Sequence, residues 1–499
     1  MRKEKLNLKV AFVALVLVAV VGCEAPDQNV FSAIPESVQR TTTDPIALAA
    51  VAQSAYVPLI GTWGGHNSLW SLHEISSDEM VIAQKGADWE DGGQWIRVHR
   101  HQYLPTEESI GNGWAYCYSS IATINNLLKT LGTNPLLRSE FEALRAMVYL
   151  WLLDAYGNVP IITETTTDTT PDTKTRQEVF NFVETSILTN LDNLRKARTY
   201  GTMNWYVAQC VLAKLYLNAG IYTGTPRWAD AAAAAQEVIS SGVYSLETNF
   251  FRNFQANNAG SVENIFILNY DEVNAGGFNL AQMTGHYLTQ ETFNLQQQPW
   301  NGYASLEEFY NSFSDGDARK GSFLVGPQFS AVGVRLIDGS AEPTDPDGPP
   351  LTFTPEINML APNSFRQAGA RVGKFEFQTG AAPNLSNDFP IFRYADVLLM
   401  RAEALWRQTP GSAEALSLVN QVRARAGVAP LAALTADDLL AERGREMFAE
   451  GYRRSDLIRF GKYNAAWWEK PVSDPSKNIF PIPQNQILVN TGLVQNPGY

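Results

Sequence analysis

Residues 393–408, RYADVLLMRAEALWRQ, and residues 412–425, SAEALSLVNQVRAR, decide the fold of this chain. In both stretches apolar side chains recur every three or four positions, the spacing that places them on one face of an α-helix. Pro410 and Gly411 lie between the stretches and end the first helix. Alanines on both stretches let the two helices approach each other closely. The sequence therefore predicts a tightly packed pair of helices.

The same pattern occurs earlier in the chain. Residues 204–219 and 227–241 both have helical spacing, and the connection between them contains two glycines and a proline. Residues 138–156 form another apolar helical stripe, which Gly157 ends. Repeated pairs of helices with small residues at their contacts are typical of tetratricopeptide-type repeats. The sequence therefore predicts a mostly α fold built from tetratricopeptide-like helix pairs.

Two regions lack this periodicity. Residues 57–113 are rich in Gly, Trp, His and Asp, and residues 243–390 mix short strand-like runs with long loops. The helical scaffold is accordingly expected at about 114–242 and 391–460. Binding sites are found disproportionately on irregular segments that a rigid scaffold positions. The binding site is therefore expected in the two irregular regions.

The N-terminus predicts export and lipid attachment. The first nine residues hold four basic side chains, and Val10–Val21 is an apolar run of 12 residues. A run of this length is too short to span a bilayer, which needs ~20 helical residues, and is typical of a signal peptide. Gly22-Cys23 resembles the lipobox of bacterial lipoproteins. Residues 1–22 are therefore predicted to be removed, leaving a single domain over 23–499 anchored to a membrane through acylated Cys23. The alternative is an ordinary signal peptide followed by a coincidental cysteine.

Charge and cysteine content exclude some functions. The net charge is −13, and loss of the basic leader makes the chain more acidic, which argues against a nucleic-acid partner. Besides Cys23 the chain contains Cys117 and Cys210, which either pair in an oxidising compartment or remain as two buried thiols. The sequence predicts no cofactor and no bound metal.

Five motifs, in order along the chain, resemble those of the SusD/RagB family. The helix at 393–405 resembles the central helix of that family, and 442–459, ERGREMFAEGYRRSDLIR, resembles its second signature. Residues 480–499 resemble its terminal segment. Residues 76–79 and 142–160 match its pattern nearer the N-terminus. The resemblance covers almost the whole mature chain.

This resemblance implies a lipid-anchored protein on the outer face of a Gram-negative outer membrane. Family members sit on a TonB-dependent transporter of the SusC type, bind oligosaccharides or in some cases peptides, and pass them to the transporter. The implied fold is a right-handed superhelical scaffold of tetratricopeptide-like helix pairs with an irregular, loop-rich ligand-binding half.

Charged residues in the second signature have two interpretations. Glu442 and Glu446 are one helical turn apart and would suit an acid and base pair of a glycosidase. Arg453, Asp456 and Arg459 follow at a spacing of three, and charges of mixed sign at such spacing usually form ion pairs that stabilise helices. The structural interpretation is favoured. Thr435 with Asp438 predicts a capping box at the start of the same helix.

Two short patterns would suit metal ions but are incomplete. His99 and His101 would lie on the same side of a strand, but no third ligand stands at a suggestive spacing. Asp345 and Asp347 lie in a loop that lacks the Gly and Glu placement of an EF-hand. Hydrogen-bonding histidines and a proline-stiffened surface loop are the favoured interpretations.

Aromatic residues in the irregular regions are the candidates for ligand binding. Five of the twelve tryptophans fall between residues 63 and 114. Of these, Trp89 and Trp95 stand among acidic and amide side chains and Arg97 in a Gly-containing loop, a setting that predicts exposure. Sugar rings stack their C–H faces on flat aromatic side chains, while their hydroxyls need polar partners. Trp89, Trp95 and Arg97 are therefore candidate carbohydrate-binding residues.

A second polar and aromatic cluster lies in the other irregular region. Trp300, Asn301 and Tyr303 stand close to Gln298 and Gly302. The same argument makes Trp300, Asn301 and Tyr303 candidate carbohydrate-binding residues. The alternative is that the aromatic residues of both clusters fill the core or contact the transporter.

The leading hypothesis is a protein that captures oligosaccharides without transforming them and delivers them to a SusC-type transporter. Three alternatives remain at this point: the same architecture with a peptide or another nutrient as ligand, a surface glycosidase, and an assembly scaffold whose repeats bind only proteins.

Overall fold

The computed structural model describes residues 45–131, 134–346 and 348–499. The predicted signal peptide, residues 1–22, and the predicted acylation site, Cys23, lie outside these ranges. The chain divides into two units, Met1–Ser54 and Ala55–Tyr499. The described part of the first unit is the helix Pro45–Ser54.

The second unit is mostly helical, with short strands in its irregular parts. Counting from α1 (Pro45–Ser54), the α-helices are α2 (Leu69–Ile75), α3 (Gln94–His99), α4 (Glu108–Leu131), α5 (Pro135–Ala155), α6 (Arg176–Asn190), α7 (Trp205–Leu217), α8 (Ala219–Thr223), α9 (Trp228–Ser240), α10 (Leu280–Thr284), α11 (Thr289–Phe293), α12 (Glu307–Asn311), α13 (Tyr394–Gln408), α14 (Ala413–Arg425), α15 (Ala436–Met447), α16 (Arg453–Arg459) and α17 (Gln484–Val489). The strands are β1 (Met80–Ile82), β2 (Asn264–Leu268), β3 (Tyr303–Ser305), β4 (Phe323–Leu324), β5 (Gly326–Pro327), β6 (Thr352–Phe353), β7 (Arg371–Val372) and β8 (Phe389–Arg393). Short 3-10 turns join several of them.

Helix pairs form the scaffold. Helix α7 packs against α9, α9 against α13, and α13 against α14. Alanines of α9 and α13 are buried at these contacts, among them Ala231, Ala235, Ala395 and Ala402. A methyl side chain at a contact lets two helix axes approach closely, and leucines of α13 and α14 fill the space around it. The mostly helical architecture and both helix pairs predicted from the sequence are confirmed.

Helix α5 forms the centre of the N-terminal part of the scaffold. Asn134 caps it, because its side chain accepts hydrogen bonds from the backbone N–H groups of Leu136 and Leu137, and Pro135 occupies the first turn. Almost every residue of α5 from Leu137 onward is buried, and the helix packs against α4 on one side and α6 on the other. The helix at 138–156 is thus confirmed, with a slightly earlier start.

Two-stranded antiparallel sheets tie the irregular regions together. Strand β1 pairs with β3 so that Met80 faces Ser305 and Ile82 faces Tyr303. This pairing joins residues that lie more than 200 positions apart in the sequence. Strand β2 pairs with β8, which leads directly into α13. The irregular half is therefore anchored to the scaffold at fixed points.

The charged signature forms a buried network of ion pairs. Glu442 and Glu446 have no exposed side-chain surface, and Arg319 bonds to both of them, at 2.7 and 3.0 Å. Asp456 is held by Arg443 at 2.8 Å and by Arg459 at 2.6 Å. The structural interpretation of these charges is confirmed, because a carboxylate that is wholly buried and held by arginines cannot reach a substrate.

Other sequence predictions have mixed outcomes. The capping box of Thr435 and Asp438 is present at the start of α15. The strand proposed for the two histidines is wrong: His99 ends helix α3 and His101 follows it. His99 Nε2 lies 2.8 Å from the carbonyl of Trp468, and both ring nitrogens of His101 lie within hydrogen-bond distance of protein groups.

Metal, cysteine and membrane-spanning features can be described for the ranges given above. Within them, no group of three or more His, Cys, Asp or Glu residues is placed to hold a metal ion. Asp345 accepts a hydrogen bond from Gln367 at 3.0 Å, and Asp347 lies outside the described residues. Cys117 and Cys210 are buried free thiols. No described helix is both long and apolar enough to cross a bilayer.

Candidate functional site

An open cleft of about 460 Å³ lies in the irregular half of the protein. This volume is within the range of ~300–1,000 Å³ that sites for small ligands occupy. We call it the aromatic cleft. Its lining combines aromatic rings with carboxylates and an amide: His66, Asp88, Trp89, Asp91, Tyr287, Gln298, Pro299 and Trp300.

Helix α10 positions Trp300. The backbone N–H groups of three successive residues bond to carbonyls at the end of this helix: Trp300 to Gln282 at 2.7 Å, Asn301 to Gly285 at 2.8 Å and Gly302 to Met283 at 2.8 Å. The backbone on both sides of the indole is therefore fixed. The Trp300 side chain remains 37% exposed and presents its surface to the cleft.

Trp89 is placed by contacts with the same segment. Its indole Nε1 donates to the backbone carbonyl of Trp300 at 2.6 Å, and its ring lies directly on the backbone of Gly302. Trp89 itself has a left-handed backbone, with φ of 61°. The ring centroids of Trp89 and Trp300 are 6.5 Å apart and the ring planes meet at 53°. The two indoles thus form adjacent, inclined walls of the cleft.

His66 is the polar centre of the aromatic groups. Its Nδ1 is 2.8 Å from the hydroxyl of Tyr303, which leaves Nε2 as the ring nitrogen available to a bound molecule. The rings of Trp89, Trp95 and Trp300 surround it, with centroids 5.2 to 5.8 Å away. Burial lowers the pKa of His66 to about 4. The imidazole is therefore uncharged at neutral pH.

Tyr287 is a further aromatic residue of the lining. Its hydroxyl donates to Asp88 Oδ2, and the guanidinium of Arg366 lies 4.4 Å from the centre of its ring. Burial, followed by the bond to Asp88 and the charge of Asp88, raises the pKa of Tyr287 to about 12. The phenol therefore stays protonated and remains fixed to the carboxylate.

The two aromatic clusters predicted from the sequence meet in this cleft, but not all of their members face it. Trp89 and Trp300 line it. The expected exposure of Trp95 is wrong: the side chain is 1% exposed, and its Nε1 donates to Asp91 Oδ2 at 2.8 Å. Trp95 therefore supports two lining residues of the cleft, because its ring packs against His66 and its indole N–H orients Asp91.

Three other predicted residues are also not part of the lining. Tyr303 and Asn301 have no exposed surface, and Asn301 donates to the carbonyl of Arg366 at 2.8 Å. Arg97 is not among the lining residues, and its guanidinium is paired with Glu107 at 2.6 Å. Tyr303 and Asn301 are therefore buried behind the lining, and Arg97 lies outside it.

His66 and Tyr287 are lining residues that the sequence did not single out. His66 follows Gly64 and Gly65, and Tyr287 follows His286. These neighbours are visible in the sequence, but no spacing connects them with Trp89 or Trp300. Long-range contacts such as the pairing of β1 with β3 and the hydrogen bonds at α10 bring the four side chains together.

Comparison with a family model identifies the C-terminal part of the chain. Residues 365–499 match the model of the SusD family. This segment contains β8, α13 to α17 and the buried ion pairs of the second signature.

Two curated relatives extend the similarity beyond that segment. The starch-binding protein SusD of Bacteroides thetaiotaomicron is 27% identical, over 72% of this chain and 72% of its own length. SusD-like protein P2 of Formosa agariphila is 25% identical, over 98% of this chain and 99% of its own length.

Solved structures share the fold. A laminarin-binding SusD-like protein superposes with a TM-score of 0.73 at 23% identity, over 92% of this chain and all of its own. The surface glycan-binding protein A of Bacteroides thetaiotaomicron, in complex with laminarihexaose, superposes with a TM-score of 0.70 at 23% identity, over 91% of this chain and 99% of its own. These likenesses extend the shared architecture to both the scaffold and the irregular half.

Proposed function

Because this chain belongs to the SusD family, we propose that it is a lipid-anchored glycan-binding protein of the outer membrane. It captures oligosaccharides in the aromatic cleft and delivers them to a TonB-dependent transporter of the SusC type. It binds its ligand without transforming it. The binding half and the helical scaffold that carries it both belong to the unit Ala55–Tyr499.

The geometry of the aromatic cleft is the observation that carries this proposal. Trp89 and Trp300 present two inclined flat surfaces, on which neighbouring sugar rings of a bent chain can stack. Asp88, Asp91 and Gln298 supply acceptors and a donor at the edge of these surfaces, where the hydroxyls of a stacked sugar lie. A flat apolar face bordered by hydrogen-bonding groups is the arrangement that a sugar ring needs.

The names of the relatives support a glycan in preference to a peptide. One curated relative is a starch-binding protein. Two proteins of the same fold with solved structures bind laminarin or laminarihexaose. A peptide site would present rows of backbone donors and acceptors along an extended groove. The aromatic cleft is instead an open concave surface that is lined by side chains. A peptide or another nutrient remains the alternative ligand.

A glycosidase is the second candidate function, because two carboxylates, Asp88 and Asp91, line the cleft. Glycosidases place their two carboxyl groups on either side of the scissile bond. Here both carboxylates come from one loop and lie three residues apart in the sequence. Asp88 accepts a hydrogen bond from Tyr287, and Asp91 accepts one from Trp95. The arrangement therefore favours binding, and release of reducing ends by the purified protein would reverse this preference.

Affinity electrophoresis of soluble protein, starting at Glu24, against a panel of polysaccharides tests the proposal. Trp300→Ala should weaken retardation by the bound polysaccharide at least ~tenfold, because the variant loses one of the two stacking surfaces. Tyr116→Ala is the matched control: this side chain is also 37% exposed but belongs to α4 and not to the cleft. The control should bind as the wild type does.

Retardation lost in Trp300→Ala and kept in Tyr116→Ala supports glycan binding in the aromatic cleft. If no polysaccharide in the panel retards the wild type, the glycan proposal is wrong and a peptide becomes the leading ligand. Equal loss in both variants would indicate a binding surface elsewhere.

The lipid anchor is a prediction from the N-terminal sequence. Replacing Cys23 by Ala should move the protein from the outer-membrane fraction to the soluble fraction of the cells, because two or more acyl chains are needed to hold a protein firmly on a bilayer. Fatty-acid labelling should disappear in the same variant. Cys117→Ala, which changes a buried thiol, is the control and should remain in the membrane fraction. A membrane-bound Cys23→Ala protein would contradict the prediction.

A further inference from the structure

The aromatic cleft is acidic as well as aromatic. Two of its lining residues, Asp88 and Asp91, are exposed carboxylates, and none of its lining residues is a lysine or an arginine. Glu90 stands between them on the same loop and is also exposed. A charged group of a ligand that enters the cleft therefore meets negative charge first.

Two cationic residues that flank this loop in the sequence, Lys85 and Arg97, do not line the cleft. Arg97 forms a pair with Glu107 and donates to the carbonyl of Gly92. Lys85 is buried and donates to the carbonyl of Ala83 at 3.1 Å. Neither side chain therefore extends a charged group into the cleft.

Arg366 is not among the lining residues either. Its Nε lies 2.7 Å from Asp338 Oδ2, and its guanidinium lies 4.4 Å from the centre of the Tyr287 ring. His66 adds no charge, because burial lowers its pKa to about 4. Within the lining of the cleft, no lysine or arginine compensates the charge of Asp88 and Asp91.

In each of the two carboxylates, one oxygen accepts a hydrogen bond from another described side chain. Asp88 Oδ2 accepts from Tyr287 and Asp91 Oδ2 accepts from Trp95. Among the described residues, no donor bonds to the Oδ1 atom of either side chain. These bonds fix the orientation of both carboxylates, so that a sugar hydroxyl can donate to each free oxygen in a charge-assisted hydrogen bond.

We propose that the aromatic cleft takes glycans without anionic groups and excludes chains that carry carboxylate or sulfate groups, with Asp88 and Asp91 as the specificity-determining residues. This inference rests on the proposed glycan-binding function and defines its ligand class. An uncharged sugar gains a hydroxyl-to-carboxylate bond at each aspartate. An anionic sugar at the same place meets like charge in a partly desolvated site and loses hydration as well.

Matched glycan probes test the inference. Each polysaccharide of the panel is used as such and after oxidation of its primary hydroxyls to carboxylates, so that the chain is kept and only the charge is added. The wild type should bind the uncharged member at least ~tenfold more tightly than the oxidised member at low salt. Added NaCl should narrow the difference, because salt screens repulsion between exposed charges.

Three variants test whether Asp88 and Asp91 cause the preference for the uncharged glycan. Asp88→Asn and Asp91→Asn should each strengthen binding of the oxidised glycan by ~threefold or more, because each removes one like charge while an amide oxygen still faces the ligand. Glu237→Gln removes the same charge from an exposed position on α9 and is the matched control, so it should leave the ratio of the two affinities unchanged. The Trp95 indole is bonded to Asp91, so Asp88→Asn leaves that hydrogen bond in place. Asp88→Asn therefore remains informative if Asp91→Asn disturbs the fold.

The outcomes separate this inference from the proposed function. Binding of the oxidised glycan as tightly as the uncharged one, with loss of both in Trp300→Ala, overturns the inference and leaves glycan binding intact. A preference for the uncharged glycan that neither Asp→Asn variant alters also overturns it. Failure of every uncharged and oxidised probe to bind overturns the inference and the proposed function together.

Discussion

Gly302 shows how closely a single residue controls the shape of the aromatic cleft. A Cβ atom at this position would lie 2.2 Å from Cζ2 of Trp89, far inside the contact distance. The Trp89 ring cannot simply rotate away, because its Nε1 is bonded to the carbonyl of Trp300. The absence of a side chain at residue 302 is therefore what allows the Trp89 ring to lie in the wall of the cleft.

Gly302→Ala is expected to displace the Trp89 ring and to weaken glycan binding at least ~tenfold, at a cost in unfolding free energy of about 1–3 kcal/mol. Affinity electrophoresis and thermal unfolding measure the two effects. Gly316→Ala is the control, since a Cβ there meets no atom within 4 Å. Unchanged binding in Gly302→Ala would mean that the Trp89 ring does not contribute to the site.

Trp89 and Trp95 show what sequence composition can and cannot predict for a single residue. Both stand in the same polar, Gly-containing stretch, yet Trp89 lines the cleft and Trp95 is buried. The difference arises because residue 95 belongs to the short helix α3, whose inner face packs against the aromatic groups around His66. Local polarity indicated the loop that contributes Trp89 to the cleft, but the direction of each side chain depends on contacts with distant residues.

Helix α15 is the element through which the buried charges are organised. Its Glu446 accepts hydrogen bonds from the guanidinium groups of Arg319, Arg393 and Arg425. Burial by itself raises the pKa of Glu446, but the three arginines lower it by more, so the group remains ionised far below neutral pH. Removing this carboxylate would leave three buried cations with less compensation.

Glu446→Gln is therefore expected to destabilise the protein by about 3–5 kcal/mol, the effect of breaking a buried ion pair from one side. Glu414→Gln is the control at an exposed pair: its side chain is 52% exposed and bonds to Arg401, so the cost should stay below about 1 kcal/mol. Thermal and urea unfolding compare the two. Equally small losses of unfolding free energy in the two variants would contradict the structural role of the buried ion pairs.

The predicted elements and the observed ones agree best where the sequence is locally periodic. The helix pairs at α7 with α9 and α13 with α14 follow from apolar spacing, connecting glycines and prolines, and buried alanines. Helix α4 was predicted less well: the scaffold was expected from about residue 114, whereas this helix begins at Glu108. The short strands could not be delimited from sequence, because two- and three-residue strands form only where a distant partner supplies the hydrogen bonds.

At the scale of the whole molecule, burial affects every histidine in the same direction. It lowers the pKa to about 4 in His66, His99 and His286, to about 3 in His73, and well below its usual value in His101. The unfolded chain binds protons at these histidines below pH 6.5, whereas the folded chain does not until about pH 4. Stability from these groups is therefore complete above pH 6.5 and is lost as the pH falls from 6.5 towards 4.

Urea unfolding should consequently show a lower free energy of unfolding at pH 5 than at pH 7, with roughly 1–2 kcal/mol lost for each buried histidine. Burial raises the pKa of Glu74 to about 7, and this group opposes the trend because it binds a proton in the folded state. His99→Gln, which keeps a polar group beside the Trp468 carbonyl, should show a smaller loss between the two pH values. Equal stability at pH 5 and pH 7 would contradict the prediction.

The sequence by itself determined the helix pairs and the structural role of the signature charges, and it predicted an export signal and the regions in which binding residues should lie. These features depend on spacing over a few turns of chain, which local backbone geometry converts directly into structure. The aromatic cleft was decided only by the tertiary structure. Its walls come from residues 66, 88, 89, 91, 287 and 298–300, and strand pairing and backbone contacts at α10 bring them together. Side chains separated by some 200 residues become neighbours through such long-range contacts, and no local pattern records which of them will face the solvent.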